Sequence, residues 1–283
     1  METTQVNFVL DTLNDLRAFP DKIISENCTM DPIRLGLDFS AENCTVRRLW
    51  CTANVTYNEN GRNDSFNFGC DFEPRFGNHL VLYNFPNDNF RGGKLTLQYH
   101  AILRNIYTHQ DQQTDSVITQ IYIRAVQPAG RLIREVALPE LAIVAYLKSK
   151  FSLFNEQNFP VFENGFGLFR TEPADPGHIW NWKNNLAHNT SDYIARKAKV
   201  KRIPEELRSS NPSLYKRLPD FTEEQLKIET WQSYGTGAYY KPERSGFIFK
   251  SWNWIPAGGN DGFADACKTL EVQVAQGNPP VNW

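Results

Sequence analysis

Residues that could form a ligand site concentrate between positions 146 and 183. Lys148 stands near the end of a segment with helical character, and Gly165 and Gly167 form a Gly-x-Gly turn. Trp180 opens the aromatic pair that follows. A helix that delivers one side chain at its end, glycines that let backbone approach a ligand, and aromatic walls together make a saccharide cleft. The alternative is structural, with glycines that only permit the turn and tryptophans that fill the core.

Six short motifs follow one another along the second half of the chain. They are KSKF (148–151), FN (154–155), GFGLFR (165–170), IWNWK (179–183), EEQLKIETWQSYGTGAYY (223–240) and GFADACKTL (262–270). In this order the motifs resemble the lysozyme-like domain of lytic transglycosylases and muramidases. The resemblance is closer to the form found in secreted or secretion-system-linked bacterial peptidoglycan hydrolases, and it covers about residues 135–275 of the chain.

This resemblance implies a mainly α-helical domain whose ligand is the glycan strand of peptidoglycan or a related saccharide. It places the family's catalytic position at Lys148 and its catalytic turn around Arg170. The candidate substrate-binding residues are Gly165, Gly167, Trp180, Tyr234 and Trp252.

Lys148 departs from the family, which has a catalytic Glu at this position to protonate the glycosidic oxygen. A carboxylic acid in a partly apolar pocket can hold its proton to about pH 6 and then release it. A lysine ammonium keeps its proton to about pH 10, and a fixed cation beside an oxocarbenium-like transition state raises its energy. Arg170, where Gln is common, and Gly235-Thr236-Gly237, where Asn-Gly-Gly is usual, also depart. The sequence therefore predicts a degenerate hydrolase domain that binds cell-wall saccharide with weak or no hydrolysis.

Two other hypotheses stay open. In the first, the protein is an active muramidase or lytic transglycosylase in which another carboxylate supplies the proton, and Glu163, two residues before Gly165, is the best candidate. In the second, the protein is a non-enzymatic structural or interaction component of a secretion or phage-like machine. Glu229 resembles a buried glutamate of the family's late helix, and we expect a structural role for it.

The rest of the sequence limits the other classes of function. The five histidines form no HxxxH or HExxH pattern and the five cysteines form no CxxC pair, so we predict no metal site and no cofactor. A net charge of −2 argues against a general affinity for nucleic acid. No apolar stretch approaches the ~18 residues of a membrane span.

The first residues of the chain lack the basic and apolar regions of a classical signal peptide. We therefore expect a protein that is cytoplasmic at synthesis, and the family analogy suggests delivery to the periplasm or the extracellular space by a specialised machine. The cysteines allow one or two disulfides in an oxidising compartment, or buried thiols. They are Cys28, Cys44, Cys51, Cys70 and Cys267.

Hydrophobic periodicity predicts the elements that must position these residues. Apolar residues from Val6 to Leu16 recur at helical spacing and predict a short amphipathic helix. From about 31 to 125 the period is two, with a hairpin turn at 58–62, which is typical of a β-sandwich. After 126–130 the period becomes helical, so we predict an α+β protein. Its predicted parts are an N-terminal helix plus a β-sandwich over 1–128 and a lysozyme-like α-domain over 129–283.

Four helices are predicted in the second part of the chain. Pro139 suits the first turn of a helix that runs to about Lys150. Apolar residues from Ile179 to Ala198 predict one long helix. The sequence TEEQ at 222–225 is a capping box, and Asp261 is a predicted cap for a terminal helix over 261–272.

Overall fold

The computed structural model describes residues 6–9, 21–59, 61–172, 174–246 and 251–283. The chain folds into two compact units, and each unit is built from three stretches of chain. The first unit comprises Met1–Pro128, Leu153–Gly167 and Glu172–Trp182. The second unit comprises Ala129–Ser152, Leu168–Thr171 and Lys183–Trp283. With two sheets in the first unit and most of the helices in the second, the α+β class is confirmed.

Eight described strands build two sheets in the first unit. The strands are β1 (Val6–Val9), β2 (Asp21–Ile24), β3 (Ile33–Ala41), β4 (Cys44–Tyr57), β5 (Asp64–Phe72), β6 (Gly77–Tyr83), β7 (Gly93–Asn105) and β8 (Asp111–Ala125), with a 3-10 turn at Pro86–Asp88. One sheet has the order β1-β3-β6 and the other has the order β2-β8-β7-β4-β5. All neighbouring strands are antiparallel except β2 and β8, which are parallel.

Alternating apolar residues of these strands form the core of the first unit, because successive side chains of a strand point to opposite faces. The predicted period of two is confirmed in β3, β4 and β7, and the predicted hairpin joins β4 to β5. Aromatic pairs connect β5 of one sheet to β6 of the other, with ring centroids of Phe68 and Tyr83 3.9 Å apart and those of Phe72 and His79 5.6 Å apart.

The predicted N-terminal helix is wrong where the structure describes it. Residues Val6–Val9 form β1, which pairs antiparallel with Asp38–Ala41 of β3. Valine's branched side chain suits a strand, and over so few residues apolar spacing does not separate a strand from a helix. The remainder of the predicted helix, residues 10–20, lies outside the described residues.

The later stretches of the first unit complete its core. The Gln127 side-chain oxygen accepts hydrogen bonds from the backbone amides of Leu153, at 2.7 Å, and Phe154, at 2.9 Å. The Trp180 ring is 1% exposed and meets the Tyr57 ring edge-on at 5.4 Å. The first unit therefore contains chain well beyond the predicted boundary at residue 128.

Helices dominate the second unit. The helices of the chain are α1 (Gly130–Val136), α2 (Pro139–Ser149), α3 (Pro176–Trp180), α4 (Trp182–Ser210), α5 (Pro212–Tyr215), α6 (Glu223–Gln232) and α7 (Phe263–Ala275). Of these, α3 and the first residue of α4 belong to the first unit. The second unit also contains an antiparallel pair of strands, β9 (Tyr240–Ser245) and β10 (Ser251–Pro256), which the hydrophobic periodicity did not predict.

Local sequence accounts for most helix ends. Pro139 opens α2 as predicted, and Thr222 and Gln225 form the predicted capping box of α6 through both reciprocal bonds. The predicted long helix is instead two helices, because Asn181 takes an extended conformation between α3 and α4. The residue at the cap of α7 is Gly262, in the left-handed region at φ 73°, and not the predicted Asp261.

We expect residues 1–128 expressed alone to be less stable than the same residues in the full chain. The fragment leaves Tyr57 without Trp180 and removes the chain that Gln127 binds, so buried apolar surface becomes exposed. Urea unfolding followed by far-UV circular dichroism measures the difference. A fragment of residues 1–182, which contains all three stretches of the first unit, is the control and should recover stability. Equal midpoints for the two fragments would contradict the assignment of the later stretches.

Candidate functional site

Three segments of the second unit meet at Lys148. Its side chain is half-buried in the last turn of α2. The Nζ atom donates a hydrogen bond to the Tyr234 carbonyl at 3.0 Å and lies 4.7 Å from the centroid of the Phe263 ring. The ammonium group therefore has one backbone acceptor and one aromatic face, an arrangement that stabilises a cation. We call these three residues the lysine site.

Gln232, at the end of α6, fixes the two loops that supply the partners of Lys148. Its side chain is fully buried. Its nitrogen donates to the Thr236 carbonyl at 2.7 Å and to Asp261 at 2.8 Å, and its oxygen accepts from the Ala264 amide at 3.1 Å. One amide thus connects the loop after α6 to the start of α7.

Asp261 completes this connection. Its carboxylate also accepts from the backbone amides of Thr236, at 2.8 Å, and Phe263, at 3.2 Å. A Cβ atom on Gly235 would lie 2.4 Å from an Asp261 oxygen, so a larger residue there would displace this carboxylate from its hydrogen bonds. The hydrogen bond from Gln232 is the main cause that lowers the pKa of Asp261, and the carboxylate therefore serves as an acceptor at neutral pH and not as an acid.

The Tyr234 ring is held between side chains of α4. The guanidinium of Arg196 lies 4.6 Å from the ring centroid and also donates to the Ser233 carbonyl at 2.7 Å. The Tyr193 ring stacks on Tyr234 at 6.5 Å. Burial raises the pKa of Tyr234 above its ordinary value, so its phenol stays neutral at physiological pH.

Glu229 is a buried carboxylate in the second unit, and it supports the turn into β9. One of its oxygens accepts from the backbone amides of Tyr239, at 3.0 Å, and Tyr240, at 2.9 Å. Burial raises the pKa of Glu229, and these two amides act in the opposite direction. The geometry agrees with the expected structural role.

The predicted turn residues are buried. Gly165 and Gly167 have φ values of 133° and 75°, which favour glycine, and they belong to the first unit. Arg170 belongs to the second unit, is 9% exposed and donates to the Ser152 carbonyl at 2.9 Å. Arg170 therefore supports backbone in this structure.

The remaining candidates lie apart from the lysine site. Trp180 is a core residue of the first unit, and its burial leaves no ring face for the predicted saccharide contact. Glu163 is exposed in the first unit, and its amide donates to the Gly165 carbonyl at 3.2 Å. Trp252 is half-buried on β10 with its ring 5.0 Å from the Tyr215 ring. Among the predicted site residues, Lys148 and Tyr234 are the two that a described side-chain contact joins to each other.

One polar constellation was missed by the sequence analysis. On neighbouring strands of the first unit, the His100 ring bonds the Thr52 hydroxyl at 3.0 Å and the Asp115 carboxylate at 2.7 Å. This order of hydroxyl, imidazole and carboxylate is that of nucleophilic catalysis. However, β4 and β7 are each paired on both sides, so their backbone amides are committed to the sheet and do not form an oxyanion hole. We assign the chain of bonds to sheet stability.

Two further features, a metal site and a membrane-spanning helix, can be looked for in the described residues. Across the described residues, no three or more His, Cys, Asp and Glu side chains are grouped so as to hold a metal ion. In that same part of the chain, no helix has the length and apolar character needed to cross a membrane.

Comparison with known proteins gives no match to a family model, to a curated protein or to a solved structure.

We expect Gln232→Leu to lower the free energy of unfolding by about 1–3 kcal/mol, because the buried Ala264 amide loses its acceptor and an unsatisfied buried group costs about that much. Urea unfolding of the full chain measures this loss. The control is Gln273→Leu, since Gln273 is an exposed residue of α7. If both variants lose equally little, the buried amide does not organise the loops.

We expect Glu229→Gln to gain stability relative to the wild type as the pH rises. The folded-state pKa of Glu229 lies above its ordinary value of 4.5, so the folded chain holds this proton more tightly and wild-type stability falls as the pH rises above 4.5. Glutamine keeps the acceptor without the charge. Unfolding free energies at about pH 4 and about pH 8 test this sign. The exposed control Glu205→Gln should show a smaller pH-dependent difference.

Proposed function

We propose that the second unit is a degenerate lysozyme-like domain that binds the glycan strands of peptidoglycan with weak or no hydrolysis. The observation that carries this proposal is the contact of Lys148 with the Tyr234 carbonyl and the Phe263 ring. Three of the motifs on which the resemblance rests, at 148–151, 223–240 and 262–270, supply these residues. Residues from three motifs that are far apart in sequence are thus in contact, as we would expect if the motifs belonged to one binding site.

The chemistry of the lysine site supports binding without efficient cleavage. Lys148 contacts a carbonyl oxygen and an aromatic face, as a binding group does, whereas the acid of glycoside hydrolysis is a carboxylic acid. Two carboxylates of the same unit hold other groups, since Glu229 accepts hydrogen bonds from two backbone amides and Asp261 accepts one from Gln232. None of the described contacts of Lys148 is with a carboxyl group that could act as a proton donor.

Aromatic side chains of the second unit provide surface for a saccharide. Trp252 and Tyr215 form a half-buried pair, and sugar rings stack on such faces. Delivery to the cell wall would follow synthesis in the cytoplasm, by a secretion or phage-like machine. The competing hypotheses are catalysis with Glu163 as the acid and a purely structural or protein-interaction role.

Two assays on the purified full chain distinguish these hypotheses. In the first, the protein is mixed with insoluble peptidoglycan and pelleted; in the second, the turbidity of a cell-wall suspension is followed. Pelleting without clearing supports the proposal. Clearing that is lost in Glu163→Gln supports catalysis, and neither pelleting nor clearing supports the interaction hypothesis. Trp252→Ala should reduce pelleting, whereas Tyr107→Ala, which removes an aromatic ring that is 71% exposed in the first unit, should not.

We expect Lys148→Glu to gain hydrolytic activity. The new carboxyl group would replace an ammonium that contacts a carbonyl oxygen and a ring face, and both disfavour a carboxylate, so its pKa should rise toward that of a general acid. General acid catalysis contributes about 10²- to 10⁴-fold. The rate of turbidity loss and the release of reducing sugar measure the gain.

Two variants control for this change. Lys148→Gln removes the charge but supplies no proton, and it should stay inactive. Lys150→Glu makes the same charge change at an exposed lysine two residues away, and it should also stay inactive. Circular dichroism checks that each variant folds. A folded Lys148→Glu protein with no gain over either control would contradict the assignment of Lys148 to the acid position.

A further inference from the structure

Cys51 and Cys70 lie directly opposite each other on the antiparallel strands β4 and β5. Residues opposed in this way have Cα atoms about 4.5 or 5.5 Å apart, depending on the hydrogen-bond pattern, and their side chains share one face of the sheet. A disulfide requires Cα atoms about 4.4–6.8 Å apart. The pairing of the strands thus holds the two cysteines within bonding reach.

We propose that Cys51 and Cys70 are a disulfide-forming pair, reduced in this structure, that links β4 to the edge strand β5 when the protein meets an oxidising environment. Both thiols are present as free cysteines, with Cys51 1% exposed and Cys70 half-buried. The site concerns the first unit and does not depend on the function proposed for the second unit.

The strands approach each other closely beside this pair. A Cβ atom on Gly69 would lie 2.3 Å from the Cys51 carbonyl oxygen, so a larger residue there would push β5 away from β4. Gly69 precedes Cys70 and therefore keeps the two strands close where the bond would form. This is a second observation, independent of the register.

The other cysteines lie elsewhere in the fold. Cys44 is opposite Asn105, and Cys267 belongs to the second unit. Cys28 lies in the segment between β2 and β3. In the strand pairings that the structure describes, Cys51 and Cys70 are the two cysteines that face each other.

A low-molecular-weight disulfide such as oxidised glutathione is a sufficient oxidant. The Cys70 thiolate attacks one sulfur of oxidised glutathione, and one glutathione thiolate leaves. The Cys51 thiolate then attacks the Cys70 sulfur of the mixed disulfide, and the second glutathione leaves. Two protein thiols are oxidised, one oxidised glutathione is reduced to two thiols, and the protons go to the leaving thiolates.

Burial controls the rate of this reaction in the folded protein. It raises the pKa of Cys51 to about 12 and that of Cys70 to about 11, and in both cases burial is the largest cause. Only thiolates attack disulfides, so the reaction is slow at neutral pH. As long as the pH is below the pKa of Cys70, each increase of one pH unit raises the rate by about tenfold. Oxidation is therefore faster while the chain folds than after it has folded.

The test is oxidation of the reduced full chain with oxidised glutathione at about pH 7 and about pH 9, followed by acid quenching, alkylation in denaturant, digestion and mass spectrometry. We expect two of the five cysteines to become protected from alkylation. A disulfide-linked peptide should join Cys51 to Cys70, and it should form faster at the higher pH. Dithiothreitol should return all the thiols.

Variants identify the order of the two steps. Cys51→Ala should trap Cys70 as a mixed disulfide with glutathione, and Cys44→Ala, the control, should still form the Cys51–Cys70 link. Mapping of the wild-type protein decides the proposal even if a variant does not fold. Full alkylation of all cysteines after prolonged oxidation, or a linked peptide that joins another pair, would overturn it.

Discussion

The lysine site depends on one buried amide. Gln232 uses both ends of its side chain and binds Thr236, Asp261 and Ala264, so the loop after α6 and the start of α7 have fixed positions. These loops carry the Tyr234 carbonyl and the Phe263 ring that Lys148 contacts. Because a buried amide without partners costs more than its bonds contribute, the network is stable only when all its members are in place.

This network explains how a half-buried lysine is accommodated at the end of α2. A lysine that lacked an acceptor would lose more by burial than it gains, but Tyr234 offers a carbonyl and Phe263 a ring face. In the same unit, Glu229 uses its carboxylate to hold the backbone amides of Tyr239 and Tyr240. Glu229 and Gln232 thus stabilise the fold of the second unit.

Sequence reasoning succeeded where the cause of a structure is local. Pro139 and the Thr222 capping box define helix starts through their immediate neighbours, and β3, β4 and β7 show their period of two directly. It failed where distant chain decides the outcome. Pairing with β3 makes Val6–Val9 a strand, and the contact of Trp180 with Tyr57 makes that tryptophan a core residue. The chain of bonds through His100 and the facing cysteines depends on strand register, which one sequence does not reveal.

The discontinuous construction of the first unit has a consequence for biosynthesis. Its last stretch ends at Trp182, so the unit is incomplete when Pro128 leaves the ribosome. Translation at about 5–20 residues per second leaves a delay of several seconds before the missing segments appear. During that interval the place of Trp180 beside Tyr57 is empty and apolar surface faces the solvent. The exposure lasts until the chain has been made up to Trp182, so slow codons downstream of Pro128 would lengthen it.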